Sequence, residues 1–553
     1  MAATVIALST AQAVATNAIA VPIEPEKPLP GQMKRIASVP LGAEITGLTL
    51  SPQGELFFNV QHPSDALAPP FNKAVVGIME GINLEHLTSA NLPNAELTVP
   101  SGNAKYVVTT LFGDYNVLFN GGDTFDLPGF PGIGSIQDAS QQITITESND
   151  PDFNSFIPID ATSGYLFTNW EDRPGGMSRV KLVKNSLDRW TVDTSDPNHI
   201  MNIDFGQVGG TWVNCFGTTT PWQTPLSAEE LYWDITANWN NPNDPYHGDV
   251  ANLAEHLGVY PNPYRYGYNV EVTAPTAPIP QPVKRFAMGR FSHENAVIMP
   301  DKRTVYQSDD GTDTVFFKFV ADRAGDLSAG TLYAAKVTQD LGTNPATTGF
   351  NVEWVRLGSN SDRAIAAVVA SFDGIGPEQF VAGQNSYITD AEISAWAEKV
   401  KKGGKGSPLT FRERAIPFLE SRKAAAALGA TAEFRKMEGV NINYQSAADG
   451  SVPYMYMAMS EIGEGMADDV GDIRLDERIC GVVYRMRLDT NFNVRRMEPA
   501  VTGGAYDAND PLNRCDAGAV ANPDNLIVLT NGWVVIGEDT SKHENNMLWL
   551  LHR

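Results

Sequence analysis

"PDNLIVLTNGWVVIGED", residues 523–539, holds two apolar runs of strand length with Asn531-Gly532 between them. An Asn-Gly pair supplies the positive φ that a tight hairpin turn requires, so the stretch reads as two antiparallel strands. One acid, Asp524, stands at its start, and two more, Glu538 and Asp539, stand at its end. The same plan returns in "HENAVIMPDKRTVYQSDD" (293–310), "MEGVNINYQSAADGSVPYMYMAMSE" (437–461) and "AEITGLTLSPQGELFFNVQ" (43–61), with "PDKR", "ADGS" and "SPQG" as the turns. One plan repeated along a chain is the mark of a repeat architecture. Short strands punctuated by Gly, Pro, Asn and Asp make that architecture all-β, and the reading is a β-propeller with long inter-blade loops, the innermost strand of each blade facing a central channel.

Helical pattern is concentrated in one place, from "ITDAEISAWAEKV" through "KKGGKG" to "FRERAIPFLESRKAAAALGA". Thr389 with Glu392 forms a capping box at its start, and Gly429 is the residue type that ends a helix. Residues 388–430 are therefore expected to be a helical insertion in one propeller domain spanning 34–553. The preceding tail, 1–33, opens with "MAATVIALSTAQAVATNAIAVP", which is uncharged, rich in small residues and carries an A-x-A-like point at Ala11-Gln12-Ala13. It reads as a remnant of an export signal, with a disordered tail as the alternative, and implies a periplasmic or secreted protein. No other stretch is long and apolar enough to span a bilayer.

The 553 residues include 40 Lys plus Arg against 65 Asp plus Glu, a net charge of −25. With no basic stripe interleaved with aromatics, this composition argues against nucleic acid as a partner. Three cysteines, Cys215, Cys480 and Cys515, are too few for a disulfide framework in so long a chain. Cys480 and Cys515 can pair with each other, which leaves Cys215 over.

The acids of the repeats stand at matching places. Glu294, Glu438 and Asp524 directly precede the first strand of their units, while Asp309 with Asp310, Glu461, and Glu538 with Asp539 follow the second. If the first strands line the channel, the leading acids meet at one mouth, where like charges raise one another's pKa until bound cations relieve them. Oxygen ligands in such number suit Ca²⁺. In "VNCFGTTTPWQTPLSAEE" (213–230), Cys215 takes the place of the leading acid, with Glu229 and Glu230 trailing. A thiolate among carboxylates favours a transition metal beside the calcium. The bland alternatives are turn-capping carboxylates and, for Cys215, a small core residue.

Several stretches resemble the PhoX-type alkaline phosphatases. They are "YLFTNWEDRPGGMSR", "WVNCFGTTTPWQTPLSAEE", "YRYGYNVEV", "GRFSHENAV", "TVYQSDDGTDTVFFKFVADRAGDLSAGTLYAAKV", "SRKAAAALGATAEFRKMEGV" and "NPDNL", spread over 160 to 540. The resemblance implies a six-bladed propeller that holds ferric iron and calcium at its axis and hydrolyses phosphomonoesters outside the cytoplasm; a monomer is the separate expectation for its assembly. It places a bridging thiolate at Cys215 and metal carboxylates at Glu294, Glu438 and Asp524, with Glu171, Glu229, Glu230, Asp309, Asp310 and Glu538 as further candidates.

Departures from the family pattern mark where this chain differs. Family members read N-H-E where it has Asn169-Trp170-Glu171, T-E-D-D where it has Gln307-Ser308-Asp309-Asp310, and R-P-E-G where it has Lys436-Met437-Glu438-Gly439. Lysine keeps a positive charge for phosphate but loses the bidentate fork of arginine. The expected reaction is metal-assisted hydrolysis of phosphomonoesters with no side-chain nucleophile, Lys436 and Arg435 stabilising the charge that develops. Two rivals need fewer parts. A calcium-dependent propeller hydrolase of the lactonase or phosphotriesterase type needs the acids without the thiol, and a catalytically silent calcium-binding propeller needs the acids alone.

Overall fold

The hairpin at 523–539 forms as its Asn-Gly pair requires: strands Pro523–Val528 and Val534–Glu538 pair antiparallel, and Gly532 takes φ 84° at the turn. The computed structural model describes residues 31–230, 236–403 and 407–552. The apolar stretch read as an export-signal remnant lies outside the described residues.

The strands Glu44–Leu50, Pro151–Asp160, Asn214–Thr219, His293–Ile298 and Met437–Asn441 each stand at the inner edge of an antiparallel sheet as Pro523–Val528 does, those at His293 and Met437 being the two ends of one nine-stranded sheet joined where Phe350 and Asn351 pair with Met497 and Arg496. Each of these inner strands packs beside the next, and Pro523–Val528 returns to Glu44–Leu50, so they close a ring about one axis. The fold is a β-propeller. Its closure is shared between the chain ends: Gln32–Ser38 pairs antiparallel with Met547–His552 and completes the sheet begun at Pro523. Apolar side chains fill the spaces between neighbouring sheets, as where Leu56, Phe58 and Val75 meet Val535, Leu548 and Leu550.

One irregularity recurs at the same height in every inner strand. In the sheet begun at His293, that residue faces Asp309 and Ala296 faces Gln307, so Glu294 and Asn295 together oppose only Ser308. Equivalent bulges fall at Asp152-Phe153, Cys215-Phe216, Glu438-Gly439 and Asp524-Asn525. A bulge bends its strand and re-aims a side chain. Here its first residue is an acid or the lone thiol in five of the six inner strands. In the remaining strand the position falls to Gly47, at φ 66°, where an added Cβ would lie 2.4 Å from the Asp152 carbonyl oxygen.

The helical insertion follows the sheet begun at His293. Helix Asp390–Lys401 starts at the capping box of Thr389 and Glu392, and helix Ser421–Leu428 ends at Gly429, which takes φ 87°. An earlier helix, Asp362–Val369, extends this helical region toward the N-terminus. At "ADGS" the outcome differs from the sequence reading: a short helix, Tyr444–Asp449, fills the connection, and Gly450 caps it where a hairpin turn was expected. Asn443 accounts for this, because its side chain accepts from the Ser446 N–H and nucleates the helix. Among the described residues, no helix is long and apolar enough to cross a membrane.

Candidate metal centre

The bulges bring Asp152, Cys215, Glu294, Glu438 and Asp524 to one mouth of the ring, all of them buried. Three groups of ligand atoms lie within 4.8 Å of one another: Asp152 with Cys215 and Glu294, Glu171 with Cys215 and Glu230, and Glu294 with Glu438 and Asp524. Cys215 belongs to the first two groups and Glu294 to the first and third, so the three candidate cation positions adjoin. The Cys215 Sγ lies 2.7 Å from Glu294 Oε2 and 3.0 Å from Asp152 Oδ2. Three of the residues two places before a bulge, Val213, Lys436 and Asn522, take φ of 45°, 50° and 39°, left-handed values that non-glycine residues adopt at an energetic cost.

Adjacent residues of a strand point to opposite faces, and this divides the trailing acids into two sets. Glu171, Glu230 and Asp310 turn toward the axis. Their neighbours do not. Glu229 lies 2.8 Å from the Lys284 ammonium and accepts from the Trp212 and Tyr268 N–H groups. Asp309 is clasped by the Arg422 guanidinium, which also donates to the Asp310 carbonyl at 2.8 Å. Glu538 accepts from the Ala521 and Met547 N–H groups, the Trp549 indole and His543. Glu229, Asp309 and Glu538, which the resemblance puts forward as ligands, are thus committed elsewhere by strand alternation. Arg422 comes from helix Ser421–Leu428, so the insertion braces one edge of the centre.

Two contributors were not among the ligands put forward from the sequence, although Asp539 was noted there as a trailing acid. Asp152 is one; its signal was present, because Asp150-Pro151-Asp152-Phe153 repeats the Pro-Asp start of Pro523-Asp524. Asp539 is the other, the inward partner of Glu538, whose charge acts on Asp152, Glu171, Glu438 and Asp524. Neutral side chains orient the set. Gln61 donates to Glu171 Oε2 at 2.9 Å and Ser460 donates to Glu438 Oε1 at 2.7 Å.

So many carboxyls in one buried space hold their protons tightly. Burial, and then the charge of Asp152, pushes Glu171 up to about 8. Burial and Asp310 push Glu438 to about 8, and burial with Asp539 pushes Asp152 to about 7. Glu230, Glu294 and Asp524 stand well above the usual carboxylate range, from burial first and neighbouring acids second, and the Cys215 thiol is raised in the same way. Asp152 Oδ1 and Glu294 Oε1 are buried with no hydrogen-bond partner among the described residues. Lys436 is the exception in sign: its Nζ lies 2.7 Å from Asp310 Oδ2 and 3.8 Å from Glu438 Oε1. Although burial opposes its charge, Glu438, Asp310 and Glu230 raise its pKa, and it stays an ammonium. Arg435, one residue earlier, turns outward to Thr312 at 2.9 Å and Glu461 at 3.0 Å. Trp170, at the place of the family's histidine, is buried on the side away from the axis and donates its indole N–H to Ser178.

A family model described as Alkaline phosphatase PhoX matches residues 195–551. That span holds Cys215, Glu230, Glu294, Asp310, Lys436, Glu438 and Asp524, while Asp152 and Glu171 precede it. No curated protein matches the sequence. Among solved structures, Pseudomonas fluorescens PhoX in complex with vanadate, a transition state analogue, is similar at 17% identity and a TM-score of 0.51, covering 94% of this chain and 87% of its own. At that identity the likeness is one of fold. A compost-metagenome beta-xylosidase/alpha-arabinofuranosidase (8% identity, 58% of this chain and 89% of its own, TM-score 0.26) and the WD40 domain of SCAP from fission yeast (8%, 94% and 98%, 0.25) are similar only at a level that carries no argument. With the family model covering most of the chain, including the thiol and the acids of the sheets it spans, the protein belongs to the PhoX alkaline phosphatase family.

Proposed function

We propose that this phosphatase hydrolyses phosphomonoesters with iron and calcium held at the axis of a six-bladed propeller. The observation that carries this is the sharing of Cys215 and Glu294 among three adjoining donor groups, with Lys436 at their edge. The residues fit such ions. Unpartnered buried oxygens on Asp152 and Glu294 await a ligand, and one soft thiolate among hard carboxylates suits a transition metal beside calcium. Cys215 with Asp152, Glu294, Glu171 and Glu230 would hold iron, and Glu294, Glu438 and Asp524 would hold calcium. Cations so held supply Lewis-acid neutralisation of phosphoryl oxygens.

The chain's own groups do the rest. Lys436, fixed by Asp310, presents its ammonium beside Glu438, where a phosphoryl oxygen entering the centre meets it. Charge gathering on that oxygen in the transition state is stabilised by a donor already in place. Ser460 and Gln61 keep Glu438 and Glu171 in single orientations. Burial of the acids excludes bulk water and strengthens each interaction.

Export to an oxidising compartment agrees with the disulfide between Cys480 and Cys515. The acidic composition favours small phosphate esters over nucleic acid, and we read the protein as a monomer. A lactonase-type site has no use for Cys215, whose sulfur lies in the middle of the acids. Aryl phosphate turnover measured together with elemental analysis tests the proposal. Turnover with iron and calcium both present is expected, and a metal-free preparation with full activity would overturn it.

A further inference from the structure

The mouth of the centre is electrically lopsided. On the side of the first two sheets it carries Glu44, Asp150, Asp172 and Glu171, with His62 bonded to Glu44 at 2.7 Å and Arg173 as the cations. On the opposite side, one residue further out than Lys436 and Ser460, Arg435 and Lys542 share Glu461 at 3.0 and 3.8 Å. Glu464 approaches Arg435 only to 3.7 Å with a largely exposed side chain, a contact of little worth. The Arg435 Nε is buried and has no acceptor among the described residues. The Lys542 ammonium makes its close contact, 3.1 Å, with the neutral amide oxygen of Asn522. Burial lowers its pKa, and the charges of Arg514 and Arg435 push the same way, against Glu461 and Asp539. Arg435 and Lys542 are thus two cations with one close carboxylate, Glu461, between them, at the edge of the centre marked by Lys436.

We propose that Arg435 and Lys542 form a leaving-group subsite that selects phosphomonoesters whose organic part carries a second anionic group, a carboxylate or another phosphate. This rests on the phosphatase reading above and names its substrate class. Arginine at this place offers a planar fork to a carboxylate or phosphate, and lysine adds a point charge. Glu461 acts as a stand-in anion that holds the two cations apart from other partners until substrate arrives.

The test compares kcat/KM for 3-phosphoglycerate and glycerol 3-phosphate, two esters that differ in a carboxylate at the far end. In the metal-loaded protein the ratio should favour phosphoglycerate. Lys542→Met should lower that ratio about tenfold, the loss expected for one charge-assisted contact. Glu461→Gln, which removes the competing anion, should raise it. A structural role for either residue moves both substrates together and leaves the ratio alone, so an unchanged ratio in both variants overturns the subsite. Failure of the metal-loaded protein to turn over either ester overturns the phosphatase reading itself.

Discussion

Removing the cations leaves the fold to bear the carboxyl cluster alone. Burial and neighbouring charge raise Asp152 from 3.8 to about 7, and Glu171 and Glu438 from 4.5 to about 8. The unfolded chain sheds the same protons near pH 4. Above that pH the folded form retains protons that the unfolded form has lost, so its stability falls as pH rises toward 7 or 8. Each retained proton contributes a slope of about 1.4 kcal/mol per pH unit, and Asp152 alone accounts for on the order of 4 kcal/mol by pH 8. His62, raised to about 10 by Glu44 although burial opposes it, adds the same sign only above its ordinary 6.5, while His293, lowered to about 3 by burial, adds the opposite sign below 6.5, so a net fall in stability from pH 5 to 6.5 reports the several carboxyls against that one imidazole. Asp310, held below 3.8 by Lys436 against its own burial, does not titrate there. Asp150 and Asp362, raised by burial to about 6 and about 7, share the sign but lie outside the three donor groups. Calcium therefore separates the two sets, because a cation binds carboxylates that have lost their protons and its stabilisation grows with pH. Urea unfolding followed by tryptophan fluorescence, at half-unit steps from pH 5 to 8 with chelator and then with calcium restored, measures both slopes. A chelated protein whose stability holds level or climbs with pH, or a calcium effect that does not grow with pH, would refute the cluster as a cation site.

Four further outcomes follow from the same geometry. Protein isolated without chelator should contain iron and calcium and absorb visible light through thiolate-to-ferric charge transfer, read by elemental analysis and an absorption spectrum. Cys215→Ser replaces a soft anionic donor with a weak neutral one, so iron and colour should be lost while the melting temperature of the chelated protein stays within a few degrees of the parent. Lys436→Met should lower kcat/KM for an aryl phosphate by about 2–4 kcal/mol with metal content unchanged, and Lys436→Arg should retain activity. Lys284→Met strands Glu229 as a buried charge and should cost about 3–5 kcal/mol by chemical denaturation, yet leave the metal content alone; a loss of metal would return Glu229 to the ligand set.

Much of this was legible in the chain because the repeat plan and the chemistry coincide. Glu294, Glu438 and Asp524 could be aligned from their hairpins, and Cys215 could be placed among them by position alone. What alignment of hairpins could not do was separate Glu229 from Glu230, Asp309 from Asp310, or Glu538 from Asp539. Each pair straddles a strand end, and a shift of one residue exchanges the two faces. The answer lay in distant partners: Lys284, Arg422 and His543 come from other strands, a helix and a loop, and nothing local in the sequence announces them.

The bulge also explains why Asp152 was harder to find than its counterparts. It lies in "PDFNSFIPID" (151–160), a strand of ten residues whose outer end is exposed, with no hairpin signal as strong as Asn-Gly after it. Gly47 marks the converse case, a unit whose hairpin is clear and whose acid is missing. The tight approach of the Asp152 carbonyl leaves no room there for a side chain, so the first sheet contributes backbone where the others contribute a carboxylate or the thiol. The Gly47 N–H donates to the Asn525 side chain, next to Asp524, at 2.8 Å, and the Asn154 side chain donates to the Gly47 carbonyl at 3.0 Å. The ring of donors is therefore open at one sheet and braced there by amides. That sheet also carries Glu44 and His62 at the mouth, and its lack of an inward acid helps to confine the cation groups to the arc from Asp152 to Asp524.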